Sequence, residues 1–190
     1  MLPTLSNALA KNGLQGGEWA VGIPGTLGGA IYMNAGTGNL SLAKNLISVK
    51  VINNKTNEEL QIEKRDINFE YRFSSFQSND LTIISAKLYF EPNGNLEQLI
   101  QTTKNNLKLK TETQPYHLPS FGSVFKNPEN NYAAKLIDDM GLKGYRIGGA
   151  EISTMHSNFI INTSSASSED IYELITVIPV SYTHLRAHET

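Results

Sequence analysis

Gly22-Ile23-Pro24-Gly25-Thr26-Leu27-Gly28-Gly29-Ala30-Ile31-Tyr32-Met33-Asn34-Ala35-Gly36 decides how this chain is read. It holds five glycines in fifteen positions and is followed by Gly38. A backbone so short of Cβ atoms can turn at positive φ and come close to another group. Successive amides in such a turn form an anion-binding nest, for which a pyrophosphate is the usual ligand. The order departs from both common phosphate loops: it has no G-x-x-x-x-G-K-[ST], and no G-x-G-x-x-G with an acidic residue about 20 positions on. On residue types alone, a nucleotide cradle and a tight structural turn both fit.

The rest of the composition narrows the function classes. With 39% hydrophobic and 18% charged residues among 190, the chain can bury an ordinary core, as one domain or two small ones. A formal charge of −2 gives no basic field, so neither nucleic acid nor an anionic membrane is an expected partner. Cysteine is absent, which removes disulfides, thiolate catalysis and cysteine zinc sites and fits a reducing compartment. No apolar run nears the roughly 18 residues of a membrane span, and the start lacks the charged-then-apolar pattern of a secretory signal. The expected location is the cytoplasm.

Working outward, residues 3–12 put Leu5, Ala8 and Leu9 on one helical face, stopped at Asn12-Gly13. Trp19 reads as packing. Ile47, Val49 and Val51 alternate before a polar turn, and Leu60 and Ile62 follow, which predicts a hairpin. Leu81 to Phe90 is the strongest strand, closed by Pro92-Asn93-Gly94, the best internal boundary. From Asn95 a helical stripe of Leu96, Leu99, Ile100, Thr103 and Leu107 begins. A second helix is predicted from Tyr132 to Met140, and a strand from Ser157 to Asn162. A third helix opens at Ser167 with Asp170 in its first turn, carries Ile171, Leu174, Ile175 and Ile178, and stops at Pro179. Residues 179–190 carry no apolar period and resemble vector read-through rather than native coding sequence. On that reading, His184 and His188 receive no metal role.

Three further stretches carry chemistry. In Phe69-Glu70-Tyr71-Arg72-Phe73, an arginine set among aromatics must use its donors, either on Glu70 or another acid or on an anionic ligand. Gly122-Ser123-Val124-Phe125-Lys126-Asn127-Pro128 lacks the G-x-S-x-G elbow of a hydrolase. Its serine can sit in a plain turn, or can donate a proton beside a cation such as Lys126. Gly141 to Ala150, continuing to His156-Ser157-Asn158-Phe159-Ile160-Ile161-Asn162, offers His156, which suits either a structural hydrogen bond or a ligand.

Taken together, Gly-Ile-Pro-Gly-Thr-Leu-Gly-Gly-Ala with Met-Asn-Ala-Gly, then Tyr-Arg, then Gly-Ser-Val-Phe-Lys-Asn-Pro, resemble in order the motifs of the UDP-N-acetylenolpyruvoylglucosamine reductases. These are flavoenzymes of peptidoglycan precursor synthesis. The resemblance implies that FAD is held by Gly22, Ile23, Pro24, Gly25, Thr26, Gly28, Gly29, Asn34, Ala35 and Gly36, with Tyr71 beside it. It implies catalytic roles for Arg72, as the partner of the substrate carboxylate, and for Ser123, as the proton donor. It also implies substrate contacts from Lys126, Asn127, His156, Tyr145 and Arg146. NADPH and UDP-N-acetylglucosamine enolpyruvate are the implied partners, with no metal.

The implied fold is α+β. Residues 1–93 would form the latter half of a vanillyl-alcohol-oxidase-type flavin domain, and residues 94–178 a small substrate-binding domain. The family pattern also has an upstream dinucleotide loop and a glutamate near its C-terminus, both expected to lie beyond this chain. Glu189 is not given the glutamate's role.

Overall fold

The structure is a computed structural model that describes residues 1–187, the last nine as backbone. It contains two compact units, Met1–Lys108 and the residues from Leu109 onward.

The first unit opens with α1 (Leu2–Lys11), which has a proline in its first turn, where a missing N–H costs nothing. Gly13, at φ +68, closes it, and the Leu14 amide donates to the Leu9 carbonyl at 3.0 Å. The buried face is Leu2, Ser6, Leu9 and Ala10, and Ala8, expected to point inward, is exposed. The sequence hides this face because one of its members is a hydroxyl. Ser6 Oγ is buried by donating to the Gly17 carbonyl at 2.7 Å, and a satisfied hydroxyl can occupy a core position.

Next come α2 (Leu27–Tyr32), the hairpin β1 (Gly36–Thr37) and β2 (Leu40–Ser41), and the long strand β3 (Leu46–Asn53). They are followed by β4 (Glu59–Glu63), the short hairpin β5 (Phe69–Glu70) and β6 (Phe73–Ser74), and β7 (Leu81–Leu88). β3 is the centre of an antiparallel sheet ordered β4-β3-β7. Val49 and Val51 are fully buried as expected, whereas Ile47 is 36% exposed. The register with β7 shifts between Leu46 and Ser48, so Ile47 is the extra residue of a bulge and the alternation restarts after it. Leu2, Trp19, Ala30, Ile31, Leu42, Leu46 and Phe76 complete this core with the two valines.

α3 (Leu96–Thr113) starts where Asn95 Oδ1 accepts from the Gln98 amide at 3.0 Å. Its inward line is Leu99 and Thr103, continued by Asn106, which donates to the Glu18 carbonyl at 3.1 Å. Leu96, in the open first turn, and Leu107, beside the line, are exposed, unlike the stripe read from sequence. Just before α3, the Gly94 amide donates to the Gly13 carbonyl at 3.0 Å.

The second unit holds β8 (Ser120–Ser123), α4 (Ala133–Asp139), β9 (Arg146–Ile147), β10 (Ala150–Ile152), β11 (Phe159–Asn162) and α5 (Ser168–Ala187). Its antiparallel sheet is ordered β8-β11-β10-β9. Ile137 of α4 and Ile171, Leu174 and Ile178 of α5 pack with Ala150, Ile152 and Ile160 of the sheet. The α5 backbone runs through Pro179, where the sequence reading stops it. Proline forgoes one intrahelical bond and kinks a helix without having to end it. The His184, His188 and Glu189 expectations fall on side chains outside the described residues. The chain is α+β, and among the described residues no helix is long and apolar enough to cross a membrane.

Asp170 ties α5 to the sheet. Its Oδ2 accepts from the Gly149 amide at 3.0 Å and from the Ser167 amide at 2.9 Å, while its own amide donates to Ser167 Oγ at 3.0 Å. The Gly149 amide, then the Ser167 amide and hydroxyl, hold its carboxyl below the ordinary carboxylate range. A depressed acid pKa contributes stability that is complete above the unfolded value and is lost as pH falls through the folded one. The melting temperature is therefore expected to drop on acidification below the usual aspartate range. Asp170→Asn should flatten that drop, and equal acid slopes in the two proteins would refute the assignment.

Candidate functional site

The first unit gathers two of the sequence motifs. Among the glycines of the stretch Gly22–Gly36, positive φ values fall at Gly22 (+74) and Gly25 (+124). Gly28 and Gly29 instead lie in the first turn of α2. A Cβ on Gly25 would meet nothing within 4 Å, so its backbone conformation alone demands glycine there. Thr26 caps α2, its Oγ1 accepting from the Gly29 amide at 3.1 Å. That bond leaves the Leu27 and Gly28 amides at the open start of the helix, where such groups lack intrahelical partners.

Asn34 sits in the left-handed region at φ +43 and is 7% exposed. Its Nδ2 donates to the Glu70 carbonyl at 2.8 Å, and its Oδ1 accepts from the Ala43 amide at 3.4 Å. The side chain thus ties the glycine stretch to the β5–β6 hairpin. Ala35 continues the stretch, donating to the Ala30 carbonyl at 2.8 Å.

At the tip of that hairpin lie Tyr71 and Arg72. Arg72 also takes a left-handed φ, +54, and its Nη2 donates to the Gly36 carbonyl at 2.9 Å. Its guanidinium lies 4.9 Å from the Tyr71 ring centroid, a cation–π distance. Two residues that sequence reasoning passed over support this tip. Ser74 Oγ and Gln77 Nε2 both donate to the Tyr32 carbonyl at the end of α2, at 2.7 and 2.9 Å, and Gln77 also reaches the Arg72 carbonyl at 3.3 Å. Neither residue carries a motif signal, because the pairing spans more than 40 residues of chain.

The second unit carries the remaining candidates. Ser123 ends β8, exposed and opposite Phe159 of β11. Gly122 before it is at φ +68, and the β8–β11 register shifts there. The serine therefore lies on a bulged edge strand rather than in a plain turn. Lys126 is exposed. Asn127 Oδ1 accepts from the Ala133 amide at 3.0 Å at the start of α4, so its side-chain oxygen has a structural task. Arg146 pairs with Glu151, its register partner on β10, through Nε at 3.0 Å and also through Nη2. Tyr145 is 44% exposed.

His156 packs edge-on against Phe159 at 4.9 Å. Its Nδ1 is buried without a partner among the described residues, and burial, with a smaller push from Lys143, lowers its pKa. Among the described residues, no three His, Asp or Glu side chains gather to hold a metal ion.

Known proteins give this arrangement a context. Residues 114–181 match the family described as UDP-N-acetylenolpyruvoylglucosamine reductase, C-terminal domain. A UDP-N-acetylenolpyruvoylglucosamine reductase of Prochlorococcus marinus subsp. pastoris is 72% identical over 178 residues, covering 94% of this chain and 60% of that protein. One from Synechococcus sp. strain RCC307 is 46% identical over 174 residues, 92% of this chain and 57% of that protein. The crystal structure of UDP-N-acetylenolpyruvylglucosamine reductase from Thermus caldophilus superposes with a TM-score of 0.84 at 32% identity, covering 93% of this chain and 64% of that one. The chain spans about 60% of the length of the curated relatives it matches.

Proposed function

Because the chain belongs to the UDP-N-acetylenolpyruvoylglucosamine reductase family over the residues it shares with these relatives, we propose that it takes part in the flavin-dependent, NADPH-linked reduction of UDP-N-acetylglucosamine enolpyruvate to UDP-N-acetylmuramate. The observation that carries this reading is the hydrogen bond from Arg72 to the Gly36 carbonyl across 36 residues. It fastens the cation of one motif to the nucleotide cradle of another.

The residues present fit a flavin nucleotide. Gly25 leaves open space where a side chain would stand, and the first amides of α2 offer donors to a phosphate. Gly22, Ile23, Pro24, Thr26, Gly28, Gly29, Asn34, Ala35 and Gly36 would hold the nucleotide together with Gly25, with Tyr71 beside it. FAD held there would supply the hydride, drawn from NADPH, for C3 of the enolpyruvyl group.

The chain's own residues then handle charge and proton. Negative charge would build on C2 and spread into the substrate carboxylate, for which Arg72 would serve as the preorganised cation. Ser123 gives its hydroxyl proton to C2, with Lys126 close in sequence to steady the alkoxide left behind. Asn127, His156, Tyr145 and Arg146 orient the sugar nucleotide, with Arg146 keeping Glu151 as its counter-ion.

Removing the guanidinium is expected to slow substrate reduction by about 100- to 1000-fold, the usual cost of losing one charge-stabilising donor. The comparison is Arg72→Ala against the parent, in a protein of the relatives' full length. Unchanged turnover would remove Arg72 from the site. A second reading, a chain that binds flavin or the UDP-sugar without turnover, draws on its spanning only about 60% of the relatives. Visible absorbance after purification detects the flavin, and NADPH consumption that depends on the enolpyruvyl substrate separates enzyme from binder.

A further inference from the structure

We infer that Asn158 is the positioning residue for Ser123, fixing the strand end from which the hydroxyl acts; this rests on the proton-donor reading proposed above. Asn158 is 4% exposed and sits just before β11, next to the residue that pairs with Ser123. Its carbonyl accepts from the Val124 amide at 2.9 Å. Its Oδ1 accepts from the Phe125 amide at 2.9 Å, and its Nδ2 donates to the Phe125 carbonyl at 2.9 Å. The two residues that follow Ser123 are thus held on three bonds by one side chain and its own backbone.

Such a clamp is needed because the strand itself is a poor anchor. β8 is an edge strand, it is bulged at Gly122, and Ser123 is exposed at its end. A bulged edge pairs on one side only, and the register beyond it is weakly specified. The segment that carries Asn158 is itself held. Ser153 Oγ accepts from the Met155 and His156 amides at 3.2 and 3.4 Å, the Phe159 amide donates to the His156 carbonyl at 2.9 Å, and Ser157 Oγ donates to the Ala134 carbonyl of α4. Asn158 therefore transmits the rigidity of a packed turn to the one side of Ser123 that the sheet leaves loose. Its side chain is an acceptor and a donor at once, and neither Asp nor Leu supplies both.

The test uses Asn158→Ala and Asn158→Asp, each alone and combined with Ser123→Ala, in a protein of the relatives' full length. A displaced donor costs about 100-fold, so Asn158→Ala should cut kcat for the enolpyruvyl substrate by that order, with NADPH-driven flavin reduction within about twofold. Asn158→Asp keeps the acceptor for the Phe125 amide and should lose less. In the Ser123→Ala background, both substitutions should cost nothing more. Without flavin, amide exchange at Val124 and Phe125 in this chain should speed at least about tenfold in Asn158→Ala, while Ile160 exchange stays as it was. Losses that add fully to that of Ser123→Ala, or unchanged exchange at the two amides, overturn the role of Asn158. Undiminished turnover in Ser123→Ala alone overturns the proton-donor reading instead.

Discussion

Alanine at Gly149 is expected to destabilise the second unit by about 3 kcal/mol, at the upper end of overpacking costs, and to lower its melting temperature by roughly 15 °C. The added methyl would run into the Ser164 carbonyl oxygen and lie 2.5 Å from the Ala166 nitrogen and 2.7 Å from its Cα. All three are backbone atoms, so no rotamer change relieves the collision. Moving the backbone would strain the bonds that Gly149 makes: its amide to Asp170 at 3.0 Å, and its carbonyl from the Thr163 amide at 2.9 Å and hydroxyl at 3.1 Å. Gly141→Ala is the control. Its φ is +69 but no atom lies within 4 Å of the added Cβ, so only backbone strain of about 1 kcal/mol should appear. Thermal melts of the two variants should differ by a wide margin, and comparable losses would mean that the packing at Gly149 is not as close as drawn.

Ser123→Ala is expected to carry the largest catalytic loss, about 100- to 10,000-fold in reduction of the enolpyruvyl substrate, the range for a positioned general acid. The substitution removes one oxygen from an exposed strand end, so folding should be almost unaffected. Flavin reduction by NADPH should also persist, because no proton from Ser123 is needed there. Single-turnover measurement of the two half-reactions in a protein of the relatives' full length separates these outcomes. A variant that reduces the substrate at the parent's rate would return Ser123 to a structural role.

Much of the fold was open to reading from local pattern. The Ser167 and Asp170 cap of α5, the stop at Gly13 and the buried Val49 and Val51 follow from capping chemistry and period alone. What local pattern missed has a common cause. Ile47 turns outward because β3 bulges against β7, a feature of pairing between strands distant in sequence. Ser6 turns inward because the carbonyl of Gly17, 11 residues on, accepts its hydrogen bond. Leu107 stays outside because Asn106 reaches Glu18, 88 residues away.

The site divides the same way. The order of residues by itself marked the glycine stretch, the Tyr71-Arg72 pair and the Gly-Ser-Val-Phe-Lys-Asn-Pro stretch, since each is a contiguous run, while residue types alone left a structural and a chemical reading open for each. Only the folded molecule decided what holds them: Gly36 under Arg72, Ser74 and Gln77 closing α2, Asn34 joining the glycine stretch to the hairpin, and Asn158 bonded to Phe125 two residues past Ser123. A hydrogen bond between residues 36 or 42 apart leaves no period and no motif in the chain, because its geometry exists only after the backbone has closed the intervening loop.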